Sequence, residues 1–209
     1  GLDDKSLAPM GELREAGCVA VTQGERPIGT ARLMRRVLEY AGGFDLPVVS
    51  SALEPTLEGL CDEGADATRF GLSATPAAAE TIAVMRDLAL AELTGARLHL
   101  TRVSTAGAVA LIREAKARGV PVTCDVTAHH LVLTSAALAG YDPLVKVWPP
   151  LRSARDRDAL RAGVADGTVD AIVSDHQPHH TQDKAFEYDK AATGAAGLET
   201  TLSLVLELV

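Results

Sequence analysis

Asp170-Ala-Ile-Val-Ser-Asp175-His176-Gln-Pro-His179-His180 is the stretch on which the fold turns. An apolar run that breaks into acid and imidazole groups is how a barrel strand delivers chemistry to its mouth, because barrel active sites sit at the C-terminal ends of the strands. On that reading Val173 and the residues before it bury, and Asp175 onward faces a site. Three of the six histidines lie here beside a carboxylate, and such donors suit zinc or general acid–base work. The plainer reading is that Asp175 and His176 only cap a strand and bind backbone.

Outward from this stretch, apolar strand-like runs recur at 18–21, 46–51, 97–103 and 121–126, with 169–174 as the last. Helical patterns fall between them: one stopped by Gly17, one from Thr30 to Gly42-Gly43, a long one from Pro76 to Gly95, one from a Ser104-Thr105 cap to Gly119, and one from Ser153 to about Ala165. Residues 53–63 read as helical, 64–69 as a polar connection, 135–138 as a short helix and 145–150 as extended. Such alternation implies parallel strands joined by crossovers, in a doubly wound sheet or a (β/α)8 barrel. No Gly-x-Gly-x-x-Gly follows any strand, and Gln23, Ser51, Arg102, Asp125 and Asp175 place polar groups at successive strand ends, which favours the barrel. Five strands make it an incomplete TIM barrel, one partial domain over 1–209. The apolar helical pattern of 197–209 stops without a capping residue, which reads as a chain cut in mid-helix.

With 47% apolar and 23% charged residues the composition is that of an ordinary globular protein. A net charge of -8 argues against a nucleic-acid surface, which needs a Lys/Arg excess. No apolar run is long enough to span a bilayer and residues 1–5 have no signal-peptide character, so a cytoplasmic protein is expected. Cys18, Cys61 and Cys124 are too few and too far apart for a disulfide framework or a metal knuckle, and are expected in or near the core.

Several motifs spread over the chain resemble dihydroorotase: Glu15-Ala-Gly17, Arg86-Asp-Leu-Ala-Leu-Ala91, Val103-Ser-Thr105, Val122-Thr-Cys-Asp-Val-Thr-Ala-His-His-Leu131, Pro149-Pro-Leu-Arg152, the run from Asp166 to His179, and Gly197-Leu-Glu-Thr200. The resemblance implies a metal-dependent barrel of the amidohydrolase superfamily that interconverts carbamoyl aspartate and dihydroorotate in pyrimidine synthesis. It implies that the chain holds strands four to eight, with the family's His-x-His motif upstream. The ligands implied by the family do not survive residue by residue. An aspartate pair becomes Gln23-Gly24, His-Cys-Glu-Asp becomes Ser51-Ala-Leu-Glu54, and His-Val-Ser-Thr becomes Arg102-Val-Ser-Thr105. Of these metal positions only Asp175 still matches. His179 resembles the family's substrate-contacting histidine, Trp148 replaces a substrate-contacting asparagine, and Gln177 stands where active members more often have alanine.

Gly24 and Ser51 offer no donor comparable to imidazole, thiolate or carboxylate. Arg102 cannot be deprotonated, and at roughly 4 Å with an effective dielectric near 20 it would repel a divalent ion by on the order of 8 kcal/mol. His99 lies three residues before Arg102, on the other side of the strand, and cannot replace the lost ligand. His129 and His130 read as one core and one loop histidine. Three functions stay open. The first is an inactive pseudoenzyme that supports assembly of aspartate carbamoyltransferase, an oligomer without a cofactor, with Asp175 a vestigial general base. The second is an active cyclic amidohydrolase with an altered zinc site. The third is a small-molecule binder without turnover. Arg102 and Asp175, at two strand ends, are expected to form a charge-assisted contact that replaces the metal.

Overall fold

A computed structural model of the chain describes residues 6–208; the first five residues of the polar lead and residue 209 of the expected C-terminal helix lie outside the described residues. In chain order the elements begin with α1 (Met10–Glu15), β1 (Val21–Thr22), α2 (Ala31–Gly42) and β2 (Val48–Ser50). The short β3 (Cys61–Asp62) and β4 (Ala74–Thr75) flank α3 (Ala65–Phe70). Then come α4 (Ala77–Thr94), β5 (Leu98–Leu100), α5 (Ala106–Ala117), β6 (Val122–Thr127), α6 (Ala154–Ala165), β7 (Ala171–Val173), α7 (Thr181–Lys184) and α8 (Leu198–Leu206).

β1, β2, β5, β6 and β7 form one sheet in that order, with every neighbouring pair parallel. The order never reverses, so there is no switch point of the doubly wound kind. α2 packs on α4, α4 on α5 and α5 on α6, which puts the crossover helices on one face of the sheet. The result is an incomplete (β/α)8 barrel.

Local chemistry explains the boundaries. Thr30 and Thr105 accept the backbone N–H of Leu33 and Ala108, each at 3.2 Å, and Ser153 accepts that of Asp156 at 3.3 Å, the bonds expected of N-caps. Gly95 ends α4 at φ 67°, a left-handed conformation that suits glycine. Alternation along the strands turns Val48, Leu98, Leu100, Val122 and Cys124 into the core beneath the helices. The other face carries Val49, His99 and Thr123 in register across β2, β5 and β6. β7 departs from expectation: Ile172 and Val173 are only half-buried and Ala171 is exposed, because β7 is an edge strand of the sheet.

Residues 53–69 also differ from their sequence reading. A single 3-10 turn, Pro55–Leu57, replaces the expected helix, Cys61-Asp62 pairs with Ala74-Thr75, and the expected polar connection is α3. Likewise 135–138 is a 3-10 turn. The cause is tertiary. Gly59 lies so close to the Ala74 backbone that a Cβ would come within 2.5 Å of it, and the Gly59 N–H donates to Thr75 Oγ1 at 2.7 Å. Arg152 Nη1 donates to Asp62 Oδ1 and to the Thr75 carbonyl, both at 2.8 Å.

Arg152 is 2% exposed, and its Nε donates to Ser104 Oγ at 3.1 Å. Ser104 and Thr105 in turn give both backbone N–H groups and both hydroxyls to the buried Glu80 carboxylate. The motifs at 103–105 and 149–152 thus interlock through buried charge. Burial already pushes the Asp62 carboxyl up, with Arg152 pulling it back. Arg152→Ala, which strands that carboxylate, is expected to cost about 3–5 kcal/mol. Denaturant unfolding of the variant beside the parent protein measures it, and a loss under about 1 kcal/mol would remove Arg152 as an anchor.

Candidate functional site at the strand ends

The C-terminal ends of four strands meet in one network. Arg102, two residues beyond β5, donates from Nη1 to Asp175 Oδ1 at 3.4 Å and from Nη2 to Ser51 Oγ at 2.8 Å. Ser51, after β2, donates its hydroxyl to the Gly24 carbonyl after β1 at 3.3 Å. Gln177 Nε2 donates to the same Asp175 oxygen at 3.0 Å. The Trp148 ring lies 5.1 Å from the guanidinium, a cation–π distance. Gly24, Ser51, Arg102 and Asp175, the four positions that the resemblance marks as metal-ligand positions, are therefore joined through one guanidinium. The contact expected between Arg102 and Asp175 is present.

Both ends of that ion pair have left-handed backbones, Arg102 at φ 59° and Asp175 at φ 45°. Such conformations cost of order 1–3 kcal/mol each outside glycine and persist only where the surroundings enforce them. Asp125 enforces the first. Its Oδ1 accepts the Arg102 N–H at 2.7 Å, and its Oδ2 accepts Thr101 Oγ1 and His99 Nε2, both at 2.8 Å. His99 Nδ1 lies 2.8 Å from Thr123 Oγ1, so this histidine braces Asp125 from the lumen side. At the other end Gly197 lets α8 approach the last strand: a Cβ there would come within 2.7 Å of the Ser174 carbonyl.

The Arg102 and Asp175 side chains are 7% and 10% exposed. Burial raises the Asp175 carboxyl above its ordinary 3.8, while Arg102 and Gln177 pull it back. His129 is pushed down to about 4 by burial and then by the Arg102 charge, so it is neutral at pH 7. The expectation of one core and one loop histidine is corrected: His129 and His130 are both buried on a 3-10 turn, with rings 4.8 Å apart. His130 is a strut between Thr127 Oγ1 at 2.7 Å and the Pro150 carbonyl at 3.2 Å. His129 Nε2 and Trp148 Nε1 are buried without a partner among the described residues.

The histidines that follow Asp175 bind backbone. His176 Nδ1 accepts the Leu198 N–H at 3.1 Å, His179 Nε2 donates to the Thr193 carbonyl at 2.8 Å, and His180 Nδ1 caps α7 through the Gln182 N–H at 3.2 Å. Two lysines that carried no signal in the sequence close the same loop. Lys184 Nζ donates to the carbonyls of Pro143, Ala192 and Gly194, and Lys146 Nζ to those of Asp189 and Ala191.

A divalent ion does not fit these residues. Gly24 has no side chain, the Ser51 hydroxyl is engaged at both ends, and a guanidinium points at the remaining carboxylate. Among the described residues no three His, Cys, Asp or Glu side chains converge as a metal site. The hollow between Ser51, Arg102 and Trp148 has about 10 Å³, room for one water at most.

Removing one partner of the buried pair is expected to hurt more than removing both. In a double-mutant cycle, Arg102→Ala and Asp175→Ala should show coupling of about 0.5–3 kcal/mol, and additive losses would deny it. The pH dependence has a definite sign. A carboxyl raised on folding lends stability that is complete below its unfolded value and is lost as pH rises through the folded one. Asp175→Asn should therefore flatten the fall in stability above pH 3.8, and Arg102→Ala should extend that fall to higher pH; unfolding measured across this window reads both.

The chain matches no family model. It is 54% identical over 211 aligned residues to the dihydroorotase of Syntrophobacter fumaroxidans, covering all of this chain and 48% of the relative. It is 51% identical to the dihydroorotase of Pelobacter propionicus, covering all of this chain and 50% of that one. The chain thus spans about half the length of the curated relatives it matches. Among solved structures, the L-hydantoinase (dihydropyrimidinase) of Arthrobacter aurescens superposes with a TM-score of 0.80 at 26% identity, over 94% of this chain and 47% of that one. The Saccharomyces cerevisiae dihydroorotase, solved with 5-fluoroorotic acid, gives 0.75 at 18% identity over 95% and 56%, a likeness of fold alone. By sequence and fold together, the chain is similar to about half of a dihydroorotase and forms part of a barrel like those of the hydantoinase and dihydroorotase structures.

Proposed function

We propose that the protein is a dihydroorotase-like pseudoenzyme of pyrimidine biosynthesis that supports the assembly of aspartate carbamoyltransferase and has no catalytic metal. One observation carries this reading: the Arg102 guanidinium reaches the Ser51 hydroxyl at 2.8 Å and Asp175 at 3.4 Å, bonded to the positions a metal would need. A metal in this family would polarise an amide carbonyl and generate hydroxide, and a guanidinium supplies neither. Asp175 then has no water to deprotonate, so it is a vestigial base. His179 and Trp148 stand at the positions of the family's substrate-contacting histidine and asparagine and are turned to the Thr193 carbonyl and to Arg102. The transferase partner comes from the family resemblance, since some dihydroorotase-like proteins with lost ligands serve it in this way.

The second reading is an active dihydroorotase with an altered zinc site, favoured by 54% identity to a protein of that name. It requires Arg102 to leave Asp175 and the rest of the protein to bring most of the ligands. Metal content of the intact protein after dialysis, read beside carbamoyl aspartate and dihydroorotate turnover, separates the two. The expected outcome is substoichiometric zinc and no turnover; stoichiometric zinc with turnover would sink the pseudoenzyme. Arg102→His alone is expected to restore no activity, since Gly24 and Ser51 stay as they are.

Co-expression with aspartate carbamoyltransferase, followed by sizing, is expected to give a complex and to change the assembly state of the transferase. A protein that neither binds the transferase nor alters its assembly would remove the scaffolding role.

A further inference from the structure

Between β7 and α8 the chain runs out from the strand end and doubles back as a strap. At its base His176 and Ala195 form an isolated parallel bridge, and the Gln177 N–H donates to the Ala195 carbonyl at 2.9 Å. Between these ends lies one helix of four residues, α7, and most side chains are exposed. A segment of that kind belongs to the least stable part of a fold unless something pins it. Three side chains do so. Lys184 Nζ donates to the Pro143 carbonyl of the facing loop at 2.9 Å and to the strap carbonyls of Ala192 and Gly194 at 2.8 and 2.6 Å. Lys146, 5% exposed, reaches from the facing loop to the Asp189 and Ala191 carbonyls at 3.0 and 2.7 Å. Tyr188, 4% exposed, plugs the small apolar cluster of Cys61, Ala67 and Leu138. The carbonyls at 189, 191, 192 and 194 meet the two ammonium groups in one strap conformation, so these contacts are lost as a set.

Gln177 ties the strap to the mouth. Its backbone is bonded to Ala195, and its Nε2 donates to Asp175 Oδ1, the oxygen that also accepts Arg102 Nη1. Gly194 closes against it at φ 135°, where a Cβ would come within 2.7 Å of the Gln177 side chain and 2.8 Å of its carbonyl. We propose that residues 178–194 are a lid that opens as one unit, and that the Arg102–Asp175 pair governs its opening through Gln177. With the pair formed, Asp175 is held within reach of Gln177 and the closed strap keeps a charge-assisted bond. With Arg102 withdrawn, the buried carboxylate turns towards water, and the closed strap loses that bond while the open one loses nothing. This difference in contacts is what allows one site to bias the other. Under the lid, between Leu144, Pro178, His179, Lys184 and Ala195, lies a cavity of about 290 Å³. Any group that draws Arg102 off Asp175 would therefore widen access to that cavity.

Hydrogen exchange of the intact protein, read by mass spectrometry, tests the lid. In the closed strap the amides of Lys190 and Ala191 donate to the Glu187 carbonyl, that of Ala192 to Asp183 and that of Gly194 to Lys146. Peptides covering them are expected to exchange together and well before those of β6. Lys184→Met should speed the whole strap about tenfold or more. Arg102→Ala should speed it about threefold or more, and should add nothing in a Gln177→Ala background; Asp175→Asn takes this arm if Arg102→Ala does not fold. Gly194→Ala, which crowds the closed form without touching Asp175, should open the strap with Arg102 in place. In every variant β6 should keep its parent rate, which separates lid opening from general destabilisation. A strap as protected as β6, a Lys184→Met effect confined to its immediate neighbours, an Arg102→Ala effect that is absent or persists without Gln177, or β6 accelerated as much as the strap would overturn the proposal. The readout is amide exchange and not turnover, so its failure would leave the pseudoenzyme reading where it stands.

Discussion

A carboxylate at 10% exposure needs a cation beside it, and at the mouth of this barrel the cation is covalently attached. Asp175 and Arg102 approach to 3.4 Å in a place where each alone would carry a desolvation cost of several kcal/mol. The net stabilisation of such a pair is small; its effect is mutual dependence, because neither group is tolerable without the other. A metal ion could balance the same charge, but it would also act as a Lewis acid on water or a carbonyl. A guanidinium balances the charge and stops there, since its protons are not lost in the physiological range. A tethered cation thus balances the charge of the mouth without bringing Lewis acidity to it.

The guanidinium also sets what its neighbours must supply. A guanidinium has five donors in a fixed fork, and it needs acceptors where a metal would need lone pairs from imidazole or carboxylate. Ser51 answers this with a hydroxyl that accepts from Arg102 and donates to the Gly24 carbonyl. Gly24, lacking a side chain, puts no second carboxylate beside the first. Gln177 adds a neutral donor to Asp175 from within its own loop. Asp125 then fixes the Arg102 backbone in a conformation arginine would not choose, and His99 and Thr101 hold Asp125 in turn. Changing any one member therefore disturbs the contacts of the others.

The strand-helix order was legible because it rests on local signals: caps at Thr30, Thr105 and Ser153, stops at Gly17 and Gly95, and apolar runs of strand length between them. Residues 53–69 were not legible. Their course is set by Arg152, about ninety positions away, and by the close approach of Gly59 to Ala74. In the candidate site, Arg102 against Asp175 followed from strand-end placement and charge, together with the metal positions that the resemblance implies. The bracing by Asp125 and His99 did not, because it depends on register between β5 and β6. Nor did the lysine clamps, since Lys146 and Lys184 find backbone carbonyls brought near only by the folded loop. His129 was misjudged for a related reason: burial on a 3-10 turn leaves no periodic trace in sequence.

The packed layer of the barrel lies apart from its mouth. Val48, Leu98, Leu100, Val122 and Cys124 face the helices, and none of the altered positions belongs to that layer. Strand ends project past the last packed side chains, so their residues answer to charge and hydrogen bonding and scarcely to core volume. With the core layer fixed by packing, the mouth settles into whatever arrangement leaves no buried charge unpaired, which is the arrangement around Arg102.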